Sequence, residues 1–379
     1  MKFSHISDTH LGFTQLGLDE REKDVYDAFD QAIDKSIVDK VEFVLFTGDI
    51  FHVPNPRGKA QIKFASALRR LKDNNISSYF ILGEHDISNI RDTPVSLIPH
   101  KLGFTNYLED GKPFFYKNVL IIGFNKFRKN QAEFFKEKFK EASNEAEKHN
   151  GPKILVMHQG IIEIHQYAGE INSTELPNNF DYYAMGHLHD KTVVRYDHLN
   201  GPVVYPGSIE HTDSQGIGEK EKGFFEGKIS ESGITELWQP LKIRPQISTT
   251  IDITSLEEGI TEVSNEINSL DEKPIVEIKI TGKDVDLDLI DAKVVELRKN
   301  CLFLRVKPID DSLEGHDILS DRPSIDEEVS SLAKKYLEDE ELAEFATKEL
   351  LPALEKNQIE DATEIVIENY KRFRSKKNA

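Results

Sequence analysis

The chain has 379 residues and a formal net charge of −19, from 67 acidic and 48 basic side chains. That length accommodates two or three domains, each able to bury a core without covalent help, and the acidity excludes a protein that coats nucleic acid by bulk electrostatics while leaving room for a local basic groove. The one cysteine, Cys301, cannot close an internal disulfide, so a reducing, cytoplasmic setting is expected.

The opening stretch MKFSHISDTH enters a strand pattern within a few residues, without an apolar signal core, and no apolar run is long enough to span a membrane. From there to about residue 240, short β-branched or aromatic runs (KFSHIS, VEFVLFT, SYFILG, KILVMH, YYAMGH) alternate with amphipathic segments. This alternation is the signature of an α/β layered domain. The segment DVYDAFDQAIDKSI puts Val25, Phe29, Ala32, Ile33 and Ile37 on one helical face, and GKAQIKFASALRRLK forms a second helix. Basic clusters at Arg57, Lys59 and Lys63, and at Lys126, Arg128 and Lys129, read as solvated surface or as part of a nucleic-acid track. Later, VVRYDHLNGPVVY turns at Asn200 and Gly201, which adds strands at a sheet edge.

Three domains are expected, at residues 1–245, 246–320 and 321–379. The second begins after the proline-bearing connector WQPLKIRPQ and reads as a small α/β unit: strand STTIDIT, a helix with Ser255 and Glu258 as a capping box, strand PIVEIKIT, helix LIDAKVVELRK and strand CLFLRV. Cys301 sits in that last run as a buried structural thiol. The third is helical. Ser324 and Glu327 form another capping box, Leu332, Tyr336, Leu342, Phe345, Leu350 and Leu351 supply apolar positions, and Pro352 interrupts the pattern before Ile365, Val366, Ile367 and Tyr370. These helices either pack on the body or dock a partner helix.

Five stretches share one construction, an apolar run ending in His or Asp: ISDTH (Asp8, His10), FTGDIFH (Asp49, His52), LGEHD (Glu84, His85), MHQG (His158) and MGHLH (His187, His189). Ligands collect outside the carboxyl ends of strands in such sheets, so these distant stretches can converge. On extended backbone, i and i+2 point the same way, so Asp8 with His10, and His187 with His189, can each aim two donors at one point. Imidazole and carboxylate donors without thiolates suit manganese, iron or zinc. Asp8, His10, Asp49, Glu84, His158, His187 and His189 exceed the ligand count of one catalytic zinc and match two ions sharing a carboxylate, about 3.5–4 Å apart. Gly48, Gly83 and Gly186, each preceding a ligand, would let the chain turn sharply. A lone histidine is ordinarily a core or surface group, and His5, His100, His149, His165, His198 and His316 are assigned there, with His211 a weak candidate.

That order of motifs resembles the calcineurin-like metallophosphoesterase superfamily over the first two-thirds of the chain. Within it, SDTHLG, LDEREKDVYDAF, GDIFH and PGSIE resemble the Mre-eleven type of double-strand-break repair nucleases. The resemblance implies a metallophosphoesterase β-sandwich flanked by helices, a small α/β DNA-capping domain, and C-terminal helices that dock a Rad-fifty-type ATPase. It implies two Mn2+ ions, one held by Asp8, His10, Asp49 and His189, the other by Asp49, position 84, His158 and His187. His85 resembles the catalytic histidine that steadies the phosphate or protonates the leaving oxygen, and His52 the second active-site histidine. The implied activities are 3′-to-5′ exonuclease on duplex DNA and endonuclease on single strands, by a homodimer formed through the helices near Asp24 and Lys59.

The family pattern has asparagine where Glu84 stands. If Glu84 ligates, the ion is held more firmly but its charge is partly cancelled, and Glu84→Asn is expected to keep two ions and raise turnover. If the longer side chain does not fit, the second site is weak and the chain is a slow nuclease or a scaffold. A phosphatase or cyclic-nucleotide phosphodiesterase on the same metal scaffold is the rival from another class.

Overall fold

A computed structural model describes residues 1–87, 93–127, 131–166, 168–212, 217, 221–282, 287–310, 342, 345–350 and 366. The chain divides into two compact units: Met1–Ile251 with Glu257–Lys279 and Asp288–Lys307, and Asp252–Leu256 with Ile280–Leu287 and Pro308–Ala379.

The first half supplies β1 (Lys2–Ile6), α1 (Asp19–Val38), β2 (Phe43–Thr47), α2 (Gly58–Asp73), β3 (Ser77–Ile81), α3 (Leu97–Lys101), β4 (Asn106–Tyr107), β5 (Pro113–Tyr116), β6 (Val119–Phe124) and α4 (Ala132–Lys148). Then come β7 (Lys153–His158), β8 (Tyr182–Gly186), β9 (Thr192–Val194), β10 (Val203–Tyr205), β11 (Gly223–Ser230) and β12 (Gly233–Pro240). These strands make two six-stranded sheets, in the orders β12-β11-β1-β2-β3-β4 and β5-β6-β7-β8-β10-β9. Strands β1 to β4 run parallel in the first sheet, and β6, β7, β8 and β10 in the second.

Alternation along each strand builds the layers. Phe43, Leu45, Tyr79 and Ile81 of the first sheet share one buried cluster with Ile121, Ile154, Val156, Tyr182 and Ala184 of the second, which makes the sandwich interior. Their neighbours Val44, Phe46 and Phe80 face the other way, onto Val25, Phe29 and Ile33 of α1 and Phe64, Leu68 and Leu71 of α2. Leu155, Met157, Tyr183 and Met185 pack on Phe135, Phe139 and Ala142 of α4. Each such side chain removed from water contributes about 1.5–3 kcal/mol. The expected sandwich flanked by helices is therefore present.

Helix α1 begins at Asp19, five residues ahead of the expected Asp24. Its first turn is acidic (Asp19, Glu20, Glu22), which favours the positive end of the helix dipole but carries no apolar periodicity to read. The predicted turn at Asn200 and Gly201 does lie in the connection between two antiparallel strands, β9 at the sheet edge and β10 beside it. A three-stranded sheet follows, ordered β13 (Gln246–Asp252), β14 (Ile275–Gly282), β15 (Phe303–Asp310), with α5 (Leu256–Asn268) and α6 (Leu287–Asn300) between its strands. Ser255 ends a 3-10 turn, Ile253–Ser255, directly before α5; Asp252 caps that turn, accepting from Thr254 N at 2.8 Å, and Ser255 Oγ donates to Asp252 O at 3.2 Å. Cys301 is buried, and burial pushes its thiol up to about 11, far from a nucleophile's range.

Of the helices expected from Ser324 and Glu327 onward, Phe345–Leu350 is described and forms a π-helical turn, while Ser324, Glu327, Leu332, Tyr336, Leu351, Pro352, Ile365, Ile367 and Tyr370 lie outside the described residues, as do Arg128, Lys129 and His316. Among the described residues no helix is long and apolar enough to cross a membrane.

Candidate metal centre

All five donor stretches leave the carboxyl ends of parallel strands: Asp8 and His10 after β1, Asp49 after β2, Glu84 and His85 after β3, His158 at the end of β7, His187 and His189 after β8. Sheet-like pairing continues past the strands, with Asp8 N donating to Gly48 O at 3.3 Å and His10 N to Asp49 O at 3.0 Å, so the first two loops are locked together. Asp8, His10, Asp49 and His187 all have positive φ (49°, 40°, 49° and 92°). Left-handed backbone at residues other than glycine costs about 1 kcal/mol or more each, and here it aims donors.

The donors include two groups whose ligand atoms lie within 4.8 Å of one another, Asp8, His10 and His189, and Glu84, His158 and His187, and a further group, Asp8, Asp49 and His158, links them. Asp49 stands between them, its Oδ2 3.8 Å from His10 Nε2 and 3.4 Å from His158 Nε2. In the first group His10 Nε2 is 3.1 Å from His189 Nε2, and Asp8 Oδ1 is 3.8 Å from the latter. In the second, Glu84 Oε2 is 2.8 Å from His158 Nε2 and Glu84 Oε1 is 2.7 Å from His187 Nδ1. The side-chain reach of Glu84, open from sequence, is thus sufficient to join the second group.

Hydrogen bonds behind the donors set their orientation. His158 Nδ1 donates to Thr47 O at 2.6 Å, which turns Nε2 inward. Thr212 Oγ1 lies 2.9 Å from His189 Nδ1. Both Asp8 oxygens accept His187 N at 3.2 Å, Ser7 Oγ also donates to Asp8, and Asp49 Oδ1 accepts His85 N at 2.8 Å. Gly48 takes the positive φ expected of a sharp turn, +91°. Gly83 and Gly186 serve close approach instead: a Cβ would fall 2.1 Å from Asp49 Oδ1 at Gly83 and 2.1 Å from Thr47 O at Gly186.

Charge at the centre follows from burial and proximity. Burial drives His10 well below its ordinary range and lowers His189, so both stay neutral with lone pairs available. Burial also opposes charging His158, but the Asp49 and Glu84 carboxylates outweigh it and hold that imidazole well above its usual value. Reciprocally, against the cost of burial, His158 holds Asp49 down to about 2, and His158 with His187 hold Glu84 far below the carboxylate range.

His85 Nδ1 donates to His52 O at 2.8 Å, which leaves Nε2 for a ligand. Its ring lies 4.9 Å from His10 and stacks on His52 at 5.3 Å. His5, by contrast, is fully buried among Tyr182, Thr47 and Met185, a structural histidine. His211 makes no part of the donor groups; its backbone N donates to Glu210 Oε1 at 2.7 Å. Glu210 in turn pairs with buried Arg21 at 3.1 Å, so the stretches LDEREKDVYDAF and PGSIE meet as one ion pair.

Sequence reasoning missed several supporting groups. Asp86 is buried and accepts three backbone N–H groups, from Ile50 and Phe51 at 3.2 Å and Gly83 at 3.0 Å. Burial first, then Asp49, raises it to about 7. Asp86→Asn would set an amide N–H against one of those donors, so chelated protein is expected to lose about 1–3 kcal/mol, read as a lower denaturant midpoint; an unchanged midpoint would refute this bracing role. Lys126, read as solvated surface or nucleic-acid track, instead has a side chain only 12% exposed, with Nζ 2.5 Å from Glu170 Oε1 and 3.1 Å from His187 Nε2. It lies two residues past β6, an apolar strand followed by polar residues like the five donor stretches, and that pattern was the available signal.

The profile of calcineurin-like phosphoesterases matches residues 1–191. The chain is 32% identical, over 363 residues, to the DNA double-strand break repair protein Mre11 of Thermoplasma acidophilum, covering 91% of this chain and 92% of that one. The chain belongs to the Mre11 family of calcineurin-like phosphoesterases. Mre11 of Sulfurisphaera tokodaii is 30% identical over 346 residues (88% and 87% covered), and Mre11 of Methanococcus maripaludis 29% over 356 residues (90% and 92% covered). The phosphoesterase fold of the Mre11 family implies a dimetal site, and the residues fit one. His158 Nε2 and Glu84 Oε2 are buried and 2.8 Å apart, yet neither has a partner of hydrogen-bond geometry. Two such atoms converging without bonding is what a shared cation resolves.

Proposed function

We propose that this chain is a manganese-dependent DNA nuclease of double-strand-break repair, acting on duplex ends 3′ to 5′ and on single strands endonucleolytically. The observation that carries the reading is the meeting of seven oxygen and nitrogen donors with Asp49 between the two groups. Asp8, His10, Asp49 and His189 would hold one ion, and Asp49, Glu84, His158 and His187 the other. Bound there, a pair of divalent cations supplies polarisation of a phosphodiester and activation of water. The side chains do the rest. His85, on a loop tied to Asp49 through its backbone N–H and to His52 O through Nδ1, presents Nε2 to a phosphate oxygen or to the leaving sugar oxygen. His52 supports that ring by stacking and orients it through its carbonyl.

The relatives' name, DNA double-strand break repair protein, supports DNA as substrate, and the partner proposed is a Rad-fifty-type ATPase. The three-domain organisation at 1–245, 246–320 and 321–379 gives the nuclease, a capping unit over the DNA and a partner-docking segment. A homodimer would form through α1 and α2. The test is hydrolysis by the metal-loaded full chain of duplex DNA, single-stranded DNA, a nucleotide monoester and a cyclic nucleotide. Hydrolysis of both DNAs is expected. Turnover confined to the monoester or the cyclic nucleotide would replace this reading with a phosphatase or small-molecule phosphodiesterase, and no turnover with a scaffold.

A further inference from the structure

We propose that Lys126 is a fixed counter-charge built against the second half-site, which offsets the carboxylate at position 84 and makes that half-site the weaker of the two. This rests on the dimetal reading above and deepens it.

The lysine is held from two sides. Its backbone N donates to Leu82 O at 2.9 Å, and the neighbouring Asn125 Oδ1 accepts Leu82 N at 2.7 Å, so the end of β6 is clamped to the segment that carries Glu84 two residues later. Its Nζ is anchored by Glu170 Oε1 at 2.5 Å, and Glu170 Oε2 is itself fixed by Gly160 N at 2.9 Å. From this anchorage the ammonium lies 3.8 Å from Glu84 Oε2 and 3.1 and 3.2 Å from the two ring nitrogens of His187. A surface lysine does not hold such a position, because rotamer entropy disperses it.

Two consequences follow for a cation bound by Glu84, His158 and His187. The first is electrostatic: among the donors of this half-site an amide at position 84 would leave Asp49 as the carboxylate, Glu84 adds a negative charge, and Lys126 sets a positive charge between Glu84 and Glu170, whose Oε1 lies 3.6 Å from His187 Nε2. Like charges this close, away from bulk water, repel strongly. The second is competition for a lone pair. An ammonium has three N–H donors and no acceptor, and with His187 Nδ1 facing Glu84 Oε1 at 2.7 Å, the lone pair available to Lys126 is the one on Nε2. Ligation through His187 must contend with that bond. At the first half-site, Asp8, His10 and His189, Lys222 donates to the backbone oxygen of His189 at 2.8 Å and to Ser208 Oγ at 2.9 Å.

The test is calorimetric titration of the chelated full-length chain with manganese chloride alone. Wild type is expected to bind two ions in unequal steps. Lys126→Met should tighten the weaker step about tenfold or more and leave the tighter step unmoved, and Lys126→Arg should behave as wild type. Glu84→Asn should weaken the weaker step about tenfold, while Glu84→Asn with Lys126→Met should return to within about threefold of wild type, because the two opposite charges offset each other at the same ion. Thermal melts of the chelated variants confirm that each is folded. An unmoved or weakened second step in folded Lys126→Met, or a double variant whose weaker step differs from wild type by about tenfold or more, would overturn the proposal. No manganese bound by wild type would overturn the dimetal reading together with it. Two ions bound by a chain that cleaves no DNA would sink the nuclease reading and leave Lys126 judged on its own titrations.

Discussion

Replacing His85 by serine is expected to lower cleavage of duplex DNA by about 10²–10⁴-fold, the range for removing a positioned acid or base, with manganese stoichiometry unchanged. The separation of the two readouts follows from how the residue is bonded. What His85 gives the donor cluster is its backbone N–H, bound to Asp49 Oδ1 at 2.8 Å, and serine keeps that group. What is lost is the imidazole, whose Nδ1 is committed to His52 O and whose Nε2 is left for the reaction. Single-turnover cleavage beside a manganese titration checks this. Residual cleavage within tenfold of wild type would remove His85 from the catalytic role, and loss of an ion would make it a ligand or a structural prop.

The layers of this protein were legible because both periodicities are clean. Val25, Phe29, Ala32 and Ile33 recur at helical spacing, and all are buried against the first sheet. The donors were legible for a related reason: a parallel strand must end, and a polar side chain at the end of an apolar run is out of place unless the strand delivers it somewhere. Groups that act from behind leave a weaker trace. Thr47 acts through its carbonyl and Thr212 through a hydroxyl, features that no residue pattern distinguishes from ordinary loop chemistry. The antiparallel pair β11 and β12 escaped because Gly223 and Gly227 interrupt its alternation. Gly227 is there because a Cβ would lie 2.2 Å from the Phe3 ring, a tertiary cause invisible in sequence. Lys126 shows the same limit at the site itself. Its charge was visible, and its confinement between Glu84 and Glu170 was not.

Asp49→Asn is expected to have the broadest effect of any single isosteric change: cleavage reduced by about 10³-fold or more, and manganese binding reduced from two ions to one or none. Asp49 Oδ2 lies within 3.8 Å of a histidine nitrogen from each donor group, so one carboxylate is within reach of both half-sites. The amide has the same shape and can still accept His85 N, so no cavity is created and the loop after β3 should keep its path. The negative charge is what disappears. In the metal-free protein that charge lies beside His158, which is fully buried and held in its protonated range by Asp49 and Glu84 together. Removing one of the two leaves an imidazolium partly uncompensated in a dry site, so Asp49→Asn should also make the chelated protein less stable near neutral pH, by about 1–3 kcal/mol. Elemental analysis after equilibration with manganese, rate measurement on duplex DNA and a denaturant titration in chelator read the three effects independently. Two ions bound with wild-type affinity by Asp49→Asn would show that the carboxylate is not shared, and the division of seven donors into two linked half-sites would then have to be redrawn around Asp8, whose Oδ1 lies 3.8 Å from His189 Nε2 and 3.9 Å from His158 Nε2.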